Sequence, residues 1–183
     1  MDRIIIGIAG KIAAGKDTAA NYLINQYGAQ QLKFSKVLRD ILQRIYQDIS
    51  RENMQKISTI LRDGFGDDLL AKVIYNDILN SNEKMIVIDG VRRLTDIEIL
   101  RSLPEFKLLF IDTDIENRYQ RLIQRNENID DRNKTFNDFQ KEDQAEAEIN
   151  IDKLKSIADY IIDNNGNIDN LYKQIDKIIT ELK

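Results

Sequence analysis

The chain has 183 residues, of which 42% are hydrophobic and 32% charged, and a net charge of −4; this is the balance of one folded globular domain rather than of a disordered segment. It contains neither cysteine nor histidine, which excludes disulfides, thiolate and imidazole metal sites, imidazole bases and Ser/His triads. Chemistry is left to Lys, Arg, carboxylates, hydroxyls, backbone N–H groups and a hard metal ion. The acidic balance argues against nucleic acid as a partner, so any anion site must be a local concentration of Lys and Arg.

In chain order, the continuous β-branched run Ile4 to Ile8 predicts a strand buried on both faces. What precedes it lacks the length and cleavage site of a signal peptide, and no stretch is long enough to span a bilayer, so a cytoplasmic protein with no membrane partner is expected. Residues 18–27 show helical spacing, 30–34 read as a second strand, and two or three helices fill 36–80. Further strands are expected at 84–88, 108–111 and 160–162. After 167, Ile168, Leu171, Ile175, Ile178, Ile179 and Leu182 share one helical face. Strands alternating with helices predict an α/β protein with a parallel sheet. One proline, no Gly/Ser linker and no repeat point to a single domain, with its most polar stretch at 126–144.

Residues 10–18 read GKIAAGKDT. Gly10, Gly15 and Lys16 match the G-x-x-x-x-G-K phosphate loop, with the strand before it and the helix after it that the motif requires. Glycines let the loop, through Ala13 and Ala14, turn several N–H groups onto phosphate oxygens; the helix adds its positive end, and Lys16 a full charge. Asp17 stands where a hydroxyl usually holds Mg²⁺, and the hydroxyl, Thr18, follows. Three readings of Asp17 stay open: holding Mg²⁺ through water, accepting the acceptor's proton, or simply favouring a helix's first turn. Residues 85–93 read MIVIDGVRR, an apolar strand ending in Asp89, the acidic partner that positions Mg²⁺ beside a phosphate loop.

Together these motifs resemble the P-loop nucleotide kinases. The displaced hydroxyl is similar to that of adenylate and guanylate kinases, and G-K-D resembles phage deoxynucleoside monophosphate kinases and the animal type of phosphomevalonate kinase. The Asp89 string resembles the DGFPR motif of adenylate kinases, which Arg93 matches, and the DGxR motif of dephospho-CoA-kinase-like proteins, which Arg92 matches. LKFSKVLR at 32–39 resembles STGDMLR of adenylate kinases, with Ser35 and Arg39 at the matching positions on the acceptor's phosphate; Arg62, before Gly64-Phe65-Gly66, is a candidate second clamp. Arg118, Arg121 and Arg125 fall on one helical face. They repel one another unless they meet an anion, or pair with Glu116 or Asp114. Arg121 and Arg125 match the R-x-x-x-R that opens an adenylate-type lid. Arg132, Lys134 and Lys141 lie within that lid. The tail ADYIIDNNG resembles the ADxxIxNxG segment of dephospho-CoA kinases, near the donor's adenine, with Asn164 and Gly166 as candidates.

The resemblance implies a three-layer P-loop fold: a five-stranded parallel sheet of order 2-3-1-4-5, with helices on both faces and a short lid. It implies a core of 1–35, 81–125 and 155–183, an acceptor-binding helical region at 36–80 and a lid at 126–144. It also implies ATP and Mg²⁺, the metal held by Thr18, Asp89 and water, and a small nucleotide acceptor, in a monomer or small homo-oligomer. Nucleoside or deoxynucleoside monophosphate kinase and dephospho-CoA kinase are both compatible, although the Asp-x-Asp usual in the latter is replaced by Phe34-Ser35-Lys36. A GTPase switch lacks support, because Asn133-Lys134-Thr135 is followed by Phe136 rather than the base-reading Asp. A nucleotide-binding module without turnover is disfavoured by the intact Lys16, Asp89 and lid arginines.

Overall fold

A computed structural model describes residues 3–125, 134–144 and 146–183. The elements run β1 (Ile4–Ala9), α1 (Lys16–Tyr27), β2 (Gln30–Lys33), α2 (Phe34–Arg44), α3 (Arg51–Phe65), α4 (Leu69–Leu79), β3 (Met85–Asp89), α5 (Leu94–Leu100), β4 (Phe106–Asp112), α6 (Ile115–Arg125), α7 (Phe136–Asp143), α8 (Glu146–Ser156), β5 (Tyr160–Asp163) and α9 (Ile168–Glu181). The five strands pair in parallel in the order β2-β3-β1-β4-β5, as expected.

The central strand shows why the sequence needs helices on both sides. Side chains alternate across a strand, and every residue of β1 is buried. Ile5 and Ala9 join one apolar cluster with residues of α2, α4, α5 and α8, while Ile4, Ile6 and Ile8 join another with α1 and α9. Each fully buried isoleucine contributes about 1.5–3 kcal/mol of transfer free energy, so neither face of β1 could be left to water. The helical face expected after 167 is α9, which buries Leu171, Ile175, Ile178 and Ile179.

The expected elements are present, with shifted edges. β4 starts two residues early because Phe106 is buried. Phe34 opens α2 rather than closing β2. The expected polar lid is helical in its described part. In α7, Phe139 is fully buried against Tyr119 of α6, and Phe136 meets the same ring edge-on at 5.3 Å; two aromatics in a charged stretch suffice to dock a short helix. Thr135 caps it, accepting from the Asp138 N–H at 3.2 Å. Among the described residues no helix is long and apolar enough to cross a membrane.

Candidate active site

The parallel register brings the carboxyl ends of the strands to one edge, where open α/β sheets bind ligands. Asp89 stands beside Ile8 on one side and Lys33 on the other, so it lies next to the loop that begins at Gly10. That loop turns on three positive φ angles: Gly10 at +149°, Ala13 at +59° and Gly15 at +102°. Such alternation makes the anion-binding concavity of a backbone nest. A Cβ on Gly10 would stand 2.7 Å from the Ile111 carbonyl oxygen, and one on Gly15 would stand 2.4 Å from Asn164 Nδ2; both positions need glycine for space as well as for φ.

The Ala14 carbonyl is held from outside the loop. It accepts from Thr113 Oγ1 at 3.0 Å, Asn164 Nδ2 at 2.8 Å and Arg121 Nη1 at 3.3 Å. These donors come from the end of β4, the end of β5 and α6, so the sheet itself sets the loop's shape. Arg121 also donates to the Asn164 carbonyl at 2.7 Å, and burial lowers its guanidinium pKa from the ordinary value. The candidates Arg121 and Asn164 thus meet at the loop. Gly166 lies exposed on the turn that follows.

Lys16 folds back over the loop, its Nζ donating to the carbonyls of Gly10 and Lys11, both at 2.8 Å. In the first turn of α1, Asp17 is exposed and Thr18 half-buried. The Lys33 ammonium sits 3.5 Å from Asp89 Oδ2, placing a cation against the carboxylate expected to position a metal. Lys33 carries no motif, and only the β2–β3 register exposes its role.

The expected acceptor side lies across from this. Gly90 comes close to Phe34 at the start of α2: a Cβ there would be 3.6 Å from the Phe34 Cβ. The start of α2, which carries Ser35 and Arg39, therefore adjoins the segment that leads from β3 into Arg92 and Arg93. Ser35 is half-buried, and the three arginines are exposed. Asp96, absent from the sequence-based candidates, organises the arginine turn. Its Oδ2 accepts the backbone N–H groups of Arg92 and Arg93 at 3.2 and 3.0 Å, and its Oδ1 pairs with Arg62 Nη2 at 3.4 Å. Arg62 is only 8% exposed and also donates to the Asp67 carbonyl. Its guanidinium is turned into the protein, where it ties the α3–α4 corner to the Asp96 turn. Arg93 reaches the same corner, 3.4 Å from Asp67 Oδ1.

Arg118, expected on one face with Arg121 and Arg125, is 3% exposed. It pairs with neither Glu116 nor Asp114. Its Nε donates to the Thr113 carbonyl at 3.0 Å, its Nη1 to Asp143 Oδ1 at 2.7 Å, and its guanidinium lies over the Phe139 ring at 5.5 Å. Arg125 closes α6, but its side chain, like the whole of Arg132, lies outside the described residues.

Asp143 is partly desolvated, which alone would raise its pKa; hydrogen bonding and charge from Arg118 and Lys11 outweigh this and hold it below the ordinary carboxylate value. A depressed folded pKa contributes stability that is present above the unfolded value of about 4 and is lost as pH falls through the folded one. Urea unfolding at pH 6, 4 and 3 should show that loss, and Asp143→Asn should flatten part of the slope. Arg118→Ala leaves a buried carboxylate short of its main partner and should cost about 3 kcal/mol at neutral pH, read from the same curves.

The profile of the AAA domain family matches residues 9–140, from the end of β1 through the loop, Asp89 and α6 into α7. The chain belongs to that family. Relatives of this AAA domain include a UPF0200 protein of Staphylothermus marinus, 29% identical over 182 residues, covering 100% of this chain and 94% of that one. Among solved structures, shikimate kinase from Bacteroides thetaiotaomicron is 14% identical, covers 98% of both chains and superposes with a TM-score of 0.65. A gluconokinase from Sinorhizobium meliloti is 10% identical, covers 98% of this chain and 93% of its own, and has a TM-score of 0.57. This AAA domain thus has the fold of P-loop kinases, as the sequence motifs implied.

Proposed function

We propose that this protein is an ATP-dependent phosphotransferase that moves the γ-phosphoryl group to a nucleoside or deoxynucleoside monophosphate, giving the diphosphate and ADP. The reading is carried by the loop at 10–16, shaped by left-handed Ala13 and Gly15 and spanned by Lys16, at the same sheet edge as Asp89 and Arg121. The chemistry in the names of two fold neighbours, the shikimate kinase and the gluconokinase, supports phosphoryl transfer as the class.

The residues fit Mg²⁺. Asp89 already faces one cation, Lys33, and the Thr18 hydroxyl stands in the first turn beyond the loop. Among the described residues no cluster of three or more acidic side chains forms a metal cage. A single carboxylate and a hydroxyl suit Mg²⁺, which completes its shell with phosphate oxygens and water. When bound, the ion neutralises charge on the β- and γ-phosphates.

In this reading, Lys16 exchanges its two carbonyl partners for phosphate oxygens, and Arg121 adds charge from the side of α6, with Arg125 as its sequence partner. Ser35, Arg39, Arg92 and Arg93 seat the acceptor's phosphate; Arg62 acts through the corner it ties to Asp96. The transferring group passes through a loose transition state, so catalysis is positioning and charge neutralisation. A phosphate acceptor needs little general-base help, which suits a chain without histidine.

A second reading, phosphorylation of a sugar hydroxyl as in dephospho-CoA kinase, is favoured by Asp17. This carboxylate is exposed in the first turn of α1, and in the second reading it would take the hydroxyl's proton. The deciding assay follows ADP formation from Mg-ATP with AMP, CMP, UMP, GMP, their deoxy forms and dephospho-CoA offered in turn. Turnover on a monophosphate supports the first reading, and turnover on dephospho-CoA alone the second. Silence on every acceptor overturns both in favour of a nucleotide switch or a nucleotide-binding module without turnover.

A further inference from the structure

Lys11 is the second residue of the phosphate loop, at a position where the motif demands no charge. Its ammonium points to α7, within the expected lid, and to α8 beyond it: Nζ is 3.2 Å from Asp143 Oδ2, at the end of α7, and 3.0 Å from Asp152 Oδ2, in α8. The other oxygen of Asp143 holds Arg118, which bonds the Thr113 carbonyl, and the Thr113 hydroxyl bonds the Ala14 carbonyl. The contacts therefore leave the loop at Lys11 and return to it at Ala14. Between them lies a small cavity of about 120 Å³ at the carboxyl end of β4, walled by Lys11, Arg118, Thr113 and Asp152 among others.

This arrangement sets up a competition. A triphosphate in the loop brings negative charge into the neighbourhood of Asp143 and Asp152, and one ammonium serves both sides. The Lys11 side chain is 19% exposed, so screening by water is incomplete and the competition has weight. Burial would lower the Lys11 pKa, but its pairing with Asp152 and Asp143 outweighs that and raises it, so the ammonium is charged at neutral pH.

We propose that Asp143 and Asp152 hold Lys11 off the phosphate cradle, and that a bound triphosphate draws it away from them, making Lys11 a second phosphate-binding cation whose departure loosens α7 and α8 from the loop. The proposal rests on the loop being the nucleotide site.

Asp152 is the residue to change, because it is more than half exposed, whereas Asp143 also neutralises buried Arg118. Titration with the fluorescent analogue mant-ATP and Mg²⁺ should be run on the wild type, Asp152→Asn, Lys11→Met and the double variant, with thermal melts confirming the fold. Asp152→Asn should bind about threefold to tenfold tighter, the scale of one partly screened charge pair, and Lys11→Met weaker by a similar factor. The double variant should bind like Lys11→Met alone. An unchanged or weaker Kd for Asp152→Asn overturns the proposal. So does tightening that persists without Lys11, since that would be a general field effect. Lys16→Met separates the two levels: if it binds mant-ATP as well as the wild type does, the loop is not the nucleotide site and the reading beneath the proposal falls as well.

Discussion

Lys16→Ala is expected to abolish turnover, lowering kcat by about 10³-fold, the scale of losing one full charge aimed at a developing oxyanion. The fold should survive. The Lys16 ammonium donates to the carbonyls of Gly10 and Lys11, and Lys16 itself is only half-buried, so its removal leaves the apolar core intact. A circular-dichroism melt within a few degrees of the wild type, beside an ADP-release assay at background, is the expected pair of results. Arginine at the same position should not rescue, because a planar fork cannot reproduce the point charge that reaches between two phosphates. Full activity in Lys16→Ala would remove the loop from the mechanism.

Gly15→Ala should damage the site almost as severely, by another route. Its φ of +102° costs an L-residue about 1–3 kcal/mol. The new methyl would also stand 2.4 Å from Asn164 Nδ2. Asn164 is 6% exposed and bonded to the Ala14 carbonyl, so it yields only by giving up that bond. We expect a fall of about 30-fold or more in mant-ATP affinity, the equivalent of 2 kcal/mol, together with a lower melting temperature. Gly28→Ala is the matched control. It too has positive φ, +68°, yet a Cβ there meets nothing within 4 Å. It should cost about 1 kcal/mol of stability and leave nucleotide affinity unchanged.

Where sequence and structure agree, the signal was local. Ile4 to Ile8 is apolar without interruption because both faces of β1 are covered, and Gly10, Gly15 and Lys16 sit at fixed offsets because the loop tolerates no others. The α7 helix was hidden because only Phe136 and Phe139 interrupt a run of polar residues, too few to show a period. Arg118 was grouped with Arg121 by helical spacing, which says which residues share a face but not what approaches it; the carboxylate that neutralises it, Asp143, comes from another helix. Arg62 was read as a clamp from its neighbouring glycines. The partner that buries it, Asp96, lies 34 residues away, and no local pattern announces it. Thr113 and Lys33 matter only through the register of their strands, a property of the assembled sheet.

The three donors on the Ala14 carbonyl have a consequence for the energetics of recognition. Fixing a backbone residue costs about 1–2 kcal/mol in lost freedom, and a loop that closes around its ligand meets that cost on every encounter. Thr113, Asn164 and Arg121 shift it to the folding of the chain, so an arriving nucleotide finds a finished mould. Association should then run at a rate set by diffusion and charge, with differences among nucleotides expressed in how slowly they leave.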